Sequence, residues 1–433
     1  MNPPDLFAEQ LQMSLQNLST NQSTCSIFKV PSDVRSVNDR AYEPEILSIG
    51  PYHRGKDDLK MMEEHKKHYL HMFLQRRPEN SLTSYVEAMR GFEERARQYY
   101  HQPVSLDKDV FVEMLFLDGC FIVELICRIV TYGPQQGDPV TGKSKVLYTV
   151  TRDMLLLENQ LPFCVLLELF SMVMQNERED LFVDMALDFF KWMFPGSRLE
   201  RSNIISSQEC KHLLDLVYHN CLLPSPFVLP SESEATNIEF EFIRSAKELK
   251  EAGIRFRKQE GSYGLFHGAR FENGMLKIPC LTVEDSTESL FRNLIAYEQC
   301  SQSDQHLYVT DYIALMDCLI STQEDVQILR HCGIIKNGLR DDEMVCMLFN
   351  NLGTDVMISV RDRFYYAKLF ERVEEHCAQR RNVLLAKLRR DYLKSLRRDY
   401  LNSPWSIISI FAAFSLLLLT LMQTVFTVMS YYK

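Results

Sequence analysis

Apolar positions along the chain repeat mostly at helical spacing. From Asp57 the apolar residues Leu59, Met62, Tyr69, Leu70, Phe73 and Leu74 form one stripe, which predicts an amphipathic helix. A second helix is expected over Leu82–Tyr100. Asp107 or Asp109 is placed to cap a third, strongly apolar helix through FVEMLFLDGCFIVELICRIV. Thr131–Lys145 carries turn residues and predicts a loop. TRDMLLLENQLPFCVLLELF then predicts a buried helix, interrupted or bent near Pro162. Further helices are expected over Glu177–Phe194, Gln208–Tyr218 and Ile238–Glu251, the last closed by Gly253. Thr322-Gln-Glu-Asp resembles a capping box opening a helix that ends near Gly333. Asp341–Leu352 predicts another, closed by Gly353, and Asp362–Arg398 a long final one.

Period-two patterning is scarce. Ile254–Phe256 is a short strand candidate, and Asn273-Gly274 between apolar flanks is a hairpin signal. Ser26–Gly55 is rich in Pro, Gly and turn residues and predicts extended chain and loops. Cys221–Asn237 predicts a surface linker. The expected fold class is therefore mainly α, a single large helical domain with a minor β hairpin, plus one C-terminal transmembrane helix. The expected boundaries are a polar N-terminus over 1–25, the helical domain over 26–400, the transmembrane helix over 405–429 and a short tail over 430–433.

The transmembrane expectation comes from the end of the chain. Tyr400–Tyr432 contains no charged side chain, and IISIFAAFSLLLLTLMQTVFTVM occupies 407–429. At about 1.5 Å per residue this is long enough for a hydrocarbon core of about 30 Å. Lys387, Arg389, Arg390, Lys394, Arg397 and Arg398 precede it and one Lys follows, so the positive-inside rule places the body in the cytosol, at the plasma membrane or an endomembrane. The first residues show no secretory signal pattern. Two sequons, at Asn17 and Asn21, point the other way, because they matter only in a lumen. LRRDYL occurs twice, from Leu388 and from Leu396, which is explained by a local duplication or by attraction to anionic lipid.

Composition narrows the function classes. The chain has 433 residues, 46% hydrophobic, with a net charge of −10. An acidic chain argues against general nucleic-acid binding. Twelve cysteines lie mostly among apolar neighbours, without a C-x-x-C pair, as reduced buried thiols do. Cys120 and Cys300 are the candidates for a nucleophile, and their apolar settings favour inert roles.

Gly137-Asp-Pro-Val-Thr-Gly-Lys-Ser144 matches the P-loop string literally. Pro139 lacks an N–H, Asp138 brings negative charge where phosphates would sit, and the β-branched VLYTV that follows is not helix-like, so a turn-rich surface loop is expected. His65, His68 and His71 beside Glu63 and Glu64 have helical spacing, but Lys66 and Lys67 disfavour a cation and a solvated face is the simpler expectation. No catalytic, cofactor-binding or metal-ligating residue is therefore assigned, and no cofactor is expected. The candidate cluster is polar residues inside apolar runs: Glu158, Asn159 and Gln160, with Asn293, Glu298 and Gln299. Such groups either cap helix ends across a core or line a ligand pocket.

Several segments together resemble the plant family known as domain of unknown function 247. They include Ala41-Tyr-Glu-Pro44, Leu47-Ser-Ile-Gly-Pro-Tyr-His53, Leu117-Asp-Gly-Cys-Phe121, Asp153-Met-Leu-Leu-Leu-Glu-Asn-Gln-Leu-Pro-Phe163, Arg292-Asn-Leu-Ile-Ala-Tyr-Glu-Gln299 and Pro404-Trp405. The resemblance runs from about Ser26 to Tyr432. It implies a plant protein anchored by one C-terminal helix, in a family without established catalytic residues. Some grass members are implicated in pollen self-incompatibility. The expected function is a membrane-anchored, non-enzymatic binding, recognition or signalling module, with the bilayer contacted through 405–429 and an unknown protein partner; the alternative is an enzyme with an unrecognised site.

Overall fold

The computed structural model describes residues 25–174, 179–193, 208–222, 242–260, 265–266, 268–301, 307–354, 364–379 and 404–431. The architecture is mainly helical, with fifteen α-helices and five short strands among these residues. Within 25–59 the described chain contributes α1 (Ser32–Val37) and the 3-10 turns Asp39–Ala41 and Asp57–Leu59.

The first layer is built around α4 (Lys108–Tyr132), whose side chains from Phe111 to Cys127 are almost all buried. A helix apolar on every side needs neighbours on every side. α2 (Lys60–Gln75), α3 (Leu82–Arg97), α6 (Phe163–Val173) and α7 (Glu179–Phe190) supply them. α5 (Ser144–Asp153) and α8 (Leu213–Leu222) complete this half.

The second half holds α9 (Ala246–Glu251), α10 (Thr287–Cys300), α11 (Tyr308–Leu319), α12 (Gln323–His331), α13 (Asp342–Leu352) and α14 (Ala367–Ala378). α13 packs on α10, α11 and α12. The strands are β1 (Arg255–Lys258), β2 (Arg270–Glu272), β3 (Met275–Ile278), β4 (Leu281–Val283) and β5 (Ile335–Asn337). One continuous apolar cluster of buried residues runs from Ile27 to Cys377 and joins both halves.

The hairpin forms at Asn273-Gly274. Both residues have positive φ, 51° and 69°, the signature of the two-residue turn that Asn-Gly favours. The β content exceeds one hairpin, however. β1 pairs parallel with β3, giving the order β1-β3-β2, and β4 pairs parallel with β5. Parallel partners distant in sequence carry no local turn signal, so the pattern could not reveal them.

Other expectations are corrected in detail. The helix expected through Pro162 is two helices, α5 and α6, separated by 154–162. VLYTV lies inside α5, because tertiary packing overrides a weak β preference. Asp107 occupies the N-cap of α4 without a side-chain capping bond. The helix expected from Ile238 begins at Ala246, where Ser245 caps it. At α12 the Asp325 carboxylate accepts from the Thr322 N–H and hydroxyl, at 2.9 and 2.8 Å. Residues 1–24, 223–241 and 380–403 lie outside the described residues, and with them the expected N-terminus, linker and basic flank.

The tail forms α15 (Pro404–Tyr431), 28 residues and about 42 Å long. Its side chains are described without a break only over 412–425, about 21 Å of helix. Among the described residues no helix is long and apolar enough to cross a membrane. A helix thus stands where the span was expected; a span is not established.

Candidate functional site

The polar cluster centres on the 154–162 loop, where the chain is buried yet not helical. Buried main-chain groups outside regular structure need side-chain partners, and this sequence supplies them. Asn159 accepts from the Ile49 N–H at 2.7 Å and donates to the Leu47 and Asp153 carbonyls at 2.8 and 2.9 Å. Gln160 donates to the Met154 and Leu156 carbonyls, both at 2.8 Å, and accepts from Leu214 N at 3.2 Å. Asn293, on α10, accepts from Leu157 N at 2.9 Å and donates to the Ala41 and Ser289 carbonyls.

Glu158 faces the N-terminal segment. One carboxylate oxygen accepts from Val30 N at 2.7 Å and meets Arg35 Nη2 at 2.6 Å; the other lies 3.2 Å from His53 Nε2. Burial pushes this carboxyl up, but His53, Arg35 and the Val30 N–H outweigh it and hold it below the ordinary carboxylate range.

Glu298 belongs to a second neighbourhood. It accepts from the Tyr218 hydroxyl and Val309 N on one oxygen, and from Thr310 N and Oγ1 on the other, all at 2.7–2.9 Å. It thereby takes N–H groups left open at the start of α11. Burial raises its carboxyl to about 7 against these four donors. Gln299 Nε2 is buried without a hydrogen-bond partner among the described residues.

The candidates are thus divided between two places, and the three carboxamides at 159, 160 and 293 have their bonding capacity taken up largely by main chain. The geometry is that of a clamp on buried irregular backbone. An open hollow of about 330 Å³ lies elsewhere, lined by Arg90, Glu93, Glu94, Lys108, Asp109 and Val112.

Three parts of the clamp were not anticipated from sequence. Asp153 accepts from the Glu45, Ile46 and Leu47 N–H groups at 2.9–3.1 Å while Arg152 Nη1 meets its other oxygen at 2.7 Å. Lys66, within the apparently solvated HKKH face, is buried and donates to Asp118, Glu63 and the Ser48 carbonyl. His53 lies between Glu43 and Glu158. A signal for Lys66 existed: it falls four residues after Met62 and three before Tyr69, on the apolar stripe.

The other motifs resolve physically. In the P-loop-like string the Asp138 carboxylate accepts from the Val140 and Thr141 N–H groups and the Tyr69 hydroxyl. A phosphate would need those N–H groups. His68 and His71 are exposed, and among the described residues no group of three or more His, Cys, Asp or Glu could hold a metal. Burial pushes the Cys120 thiol well up and Cys300 to about 11, away from nucleophilic thiolate.

Residues 27–419 match the family model DUF247, described as a plant protein of unknown function. The chain belongs to this plant family. It is similar to the Arabidopsis thaliana UPF0481 protein At3g47200, 31% identical over 95% of this chain and 88% of that protein. It is also similar to the putative UPF0481 protein At3g02645 of Arabidopsis thaliana, 22% identical over 96% of this chain and 92% of that protein. No solved structure matches. The clamp draws heavily on the segments that carried the family resemblance: Leu47–His53, Asp118, Asp153–Pro162 and Asn293.

Proposed function

We propose that this DUF247 protein is a membrane-tethered binding or recognition module whose helical body presents surface loops to a protein partner. The observation that carries the tether is α15. Its described side chains are exposed, including Phe414, Leu416, Leu417, Leu419 and Leu421 at 61–65%. A row of large apolar side chains left in water is costly, roughly 1.5–3 kcal/mol for each that could be buried, and lipid would supply an apolar cover for a segment without charged side chains. The expected span is 405–429, with the body on the cytosolic side.

The recognition half of the proposal is supported by the clamp. The polar side chains most suggestive of a pocket are engaged in holding the core, which leaves the surface as the place for function. A reproductive recognition role of the self-incompatibility type is one form this could take.

The test is fractionation of the tagged full chain from plant cells. The protein should stay in the pellet after alkaline carbonate extraction, and a chain ending at Ser403 should become soluble. Equal extraction of both would reject the tether. Cross-linked recovery of a defined receptor or kinase with the intact chain would support recognition; turnover of a small-molecule substrate by the pure protein would overturn it.

A further inference from the structure

We infer that β1 is a docking edge for an extended acidic segment of a partner protein, which adds as a further strand with carboxylates at alternate positions beside Arg255 and Arg257. This deepens the recognition reading above by naming the face and the chemistry of its partner. β1 reads Arg-Phe-Arg-Lys and lies at the edge of the β1-β3-β2 sheet among the described residues. The N–H groups of Arg255 and of Gln259, just past the strand, donate to the Gly274 and Ile278 carbonyls at 2.9 and 2.8 Å. With a period of two, Phe256 and Lys258 turn their main-chain groups to the opposite edge. There they have no main-chain partner among the described residues.

The register sorts the side chains by face. Leu276 and Ile278 of β3 are fully buried and share the inner face with their partners Phe256 and Lys258. Arg255 and Arg257 therefore stand on the outer face, with Met275 and Lys277 of β3 and Arg270 and Glu272 of β2. Arg257 is opposite Lys277, and Lys277 is opposite Arg270, so a row of cations crosses the sheet. Like charges placed directly opposite one another destabilise a sheet. Glu272 is the one carboxylate on this face of the three strands, and it pairs with Lys277 at 2.8 Å. Arg270 bonds to the Tyr365 hydroxyl and the Ala269 carbonyl. Arg255 and Arg257 are exposed and form no ion pair among the described residues; the Arg255 guanidinium donates to the Asn273 carbonyl at 3.4 Å.

Charge selects the occupant. The chain as a whole carries a net charge of −10, yet this face is cationic and complements carboxylates. A single charged residue is enough to protect an edge strand, and a row across three strands exceeds that need. A second copy pairing edge to edge would set Arg and Lys against Arg and Lys, which repel. A free anion or a lipid headgroup would use the guanidinium groups but not the main-chain groups of Phe256 and Lys258. An extended chain uses both. Laid beside β1 it puts every second side chain on the outer face, next to Arg255 and Arg257, and the side chain between them next to partly buried Phe256. The recognised pattern is therefore acidic, apolar, acidic.

The experiment measures fluorescence anisotropy of a labelled synthetic peptide, alternating glutamate and valine, titrated with the full chain in detergent. A peptide of the same composition with its glutamates in one block is the control. The alternating peptide should bind more tightly than the block peptide by about fivefold or more, and Arg257→Glu should weaken it by a similar factor. Lys258→Pro removes an outward N–H that serves no ladder bond, which an edge strand tolerates. It should abolish the preference for the alternating order while leaving Arg255 and Arg257 in place. Equal binding of the two peptides, unchanged binding in Arg257→Glu, or displacement of the peptide by inorganic phosphate at matching concentration overturns strand addition. So does a wild-type dimer in sedimentation that Arg257→Glu dissociates. Cross-linked recovery of a partner that persists in Arg257→Glu refutes this face and leaves the recognition reading standing.

Discussion

Lys66 and Asp118 are each 1% exposed, and the Lys66 ammonium lies 2.6 Å from the Asp118 carboxylate. The pair joins α2 to α4 and holds the Ser48–Gly50 stretch that precedes α2. Lys66 donates to the Ser48 carbonyl and Asp118 accepts from Gly50 N at 2.9 Å. Burial pushes the Asp118 carboxyl up, and Lys66 opposes that.

Removing one partner leaves the other charge buried and unpaired. Lys66→Met should cost about 3–5 kcal/mol, and the double change Lys66→Met with Asp118→Asn should recover part of that loss. Urea unfolding of the full chain in detergent measures both. A double variant no more stable than Lys66→Met would show that the Gly50 contact, not the charge, dominates.

Gly50 and Gly55 both have positive φ, 70° and 85°, but differ in their surroundings. A Cβ on Gly50 would sit 2.7 Å from the Gln160 carbonyl oxygen, whereas one on Gly55 meets nothing within 4 Å. Gly55→Ala should cost about 1 kcal/mol, from backbone strain alone. Gly50→Ala should cost at least about 2 kcal/mol more through the clash with fixed backbone. Equal unfolding midpoints for the two would contradict this packing.

Glu298 should make stability pH-dependent. Its folded-state carboxyl is raised to about 7 from an ordinary 4.5, so the folded chain holds this proton more tightly than the unfolded chain. The contribution is fully present below about 4.5 and is lost as pH rises through about 7, with a total of roughly 3 kcal/mol. Glu298→Gln should flatten this part of the stability profile between pH 4.5 and 8. An unchanged slope would show that another group carries it.

Cysteine labelling should follow burial. Cys120 is fully buried with its thiol pushed well up, and Cys127 is raised to about 12. In the native protein at neutral pH iodoacetamide should modify partly exposed Cys25 before either, with all three reacting once urea unfolds the chain. Native labelling of Cys120 at the rate of Cys25 would contradict the packing of α4.

Much of the helical framework was legible because amphipathic periodicity and caps are local. The stripe of α2, the all-round apolarity of α4, Asp341 before α13 and the Asn273-Gly274 turn each announce themselves within a few residues. The parallel pairs β1–β3 and β4–β5 did not, since their partners are brought together by chain between them. The 154–162 loop was misread as helix because its apolar residues are buried in either conformation, and periodicity does not separate the two.

The chain's sequence alone determined the family, the helical class, the polar residues awaiting partners and a charge-free apolar tail, because composition, motif and period are written locally. Only the tertiary structure decided what those polar residues hold. Asn159 meets Ile49 and Leu47, Asp153 meets Glu45–Leu47, and Glu158 meets Val30, Arg35 and His53 across separations of about a hundred residues or more. Which donor reaches which acceptor depends on how the layers pack, and hydrogen bonds of defined length and direction are formed only when that packing is complete.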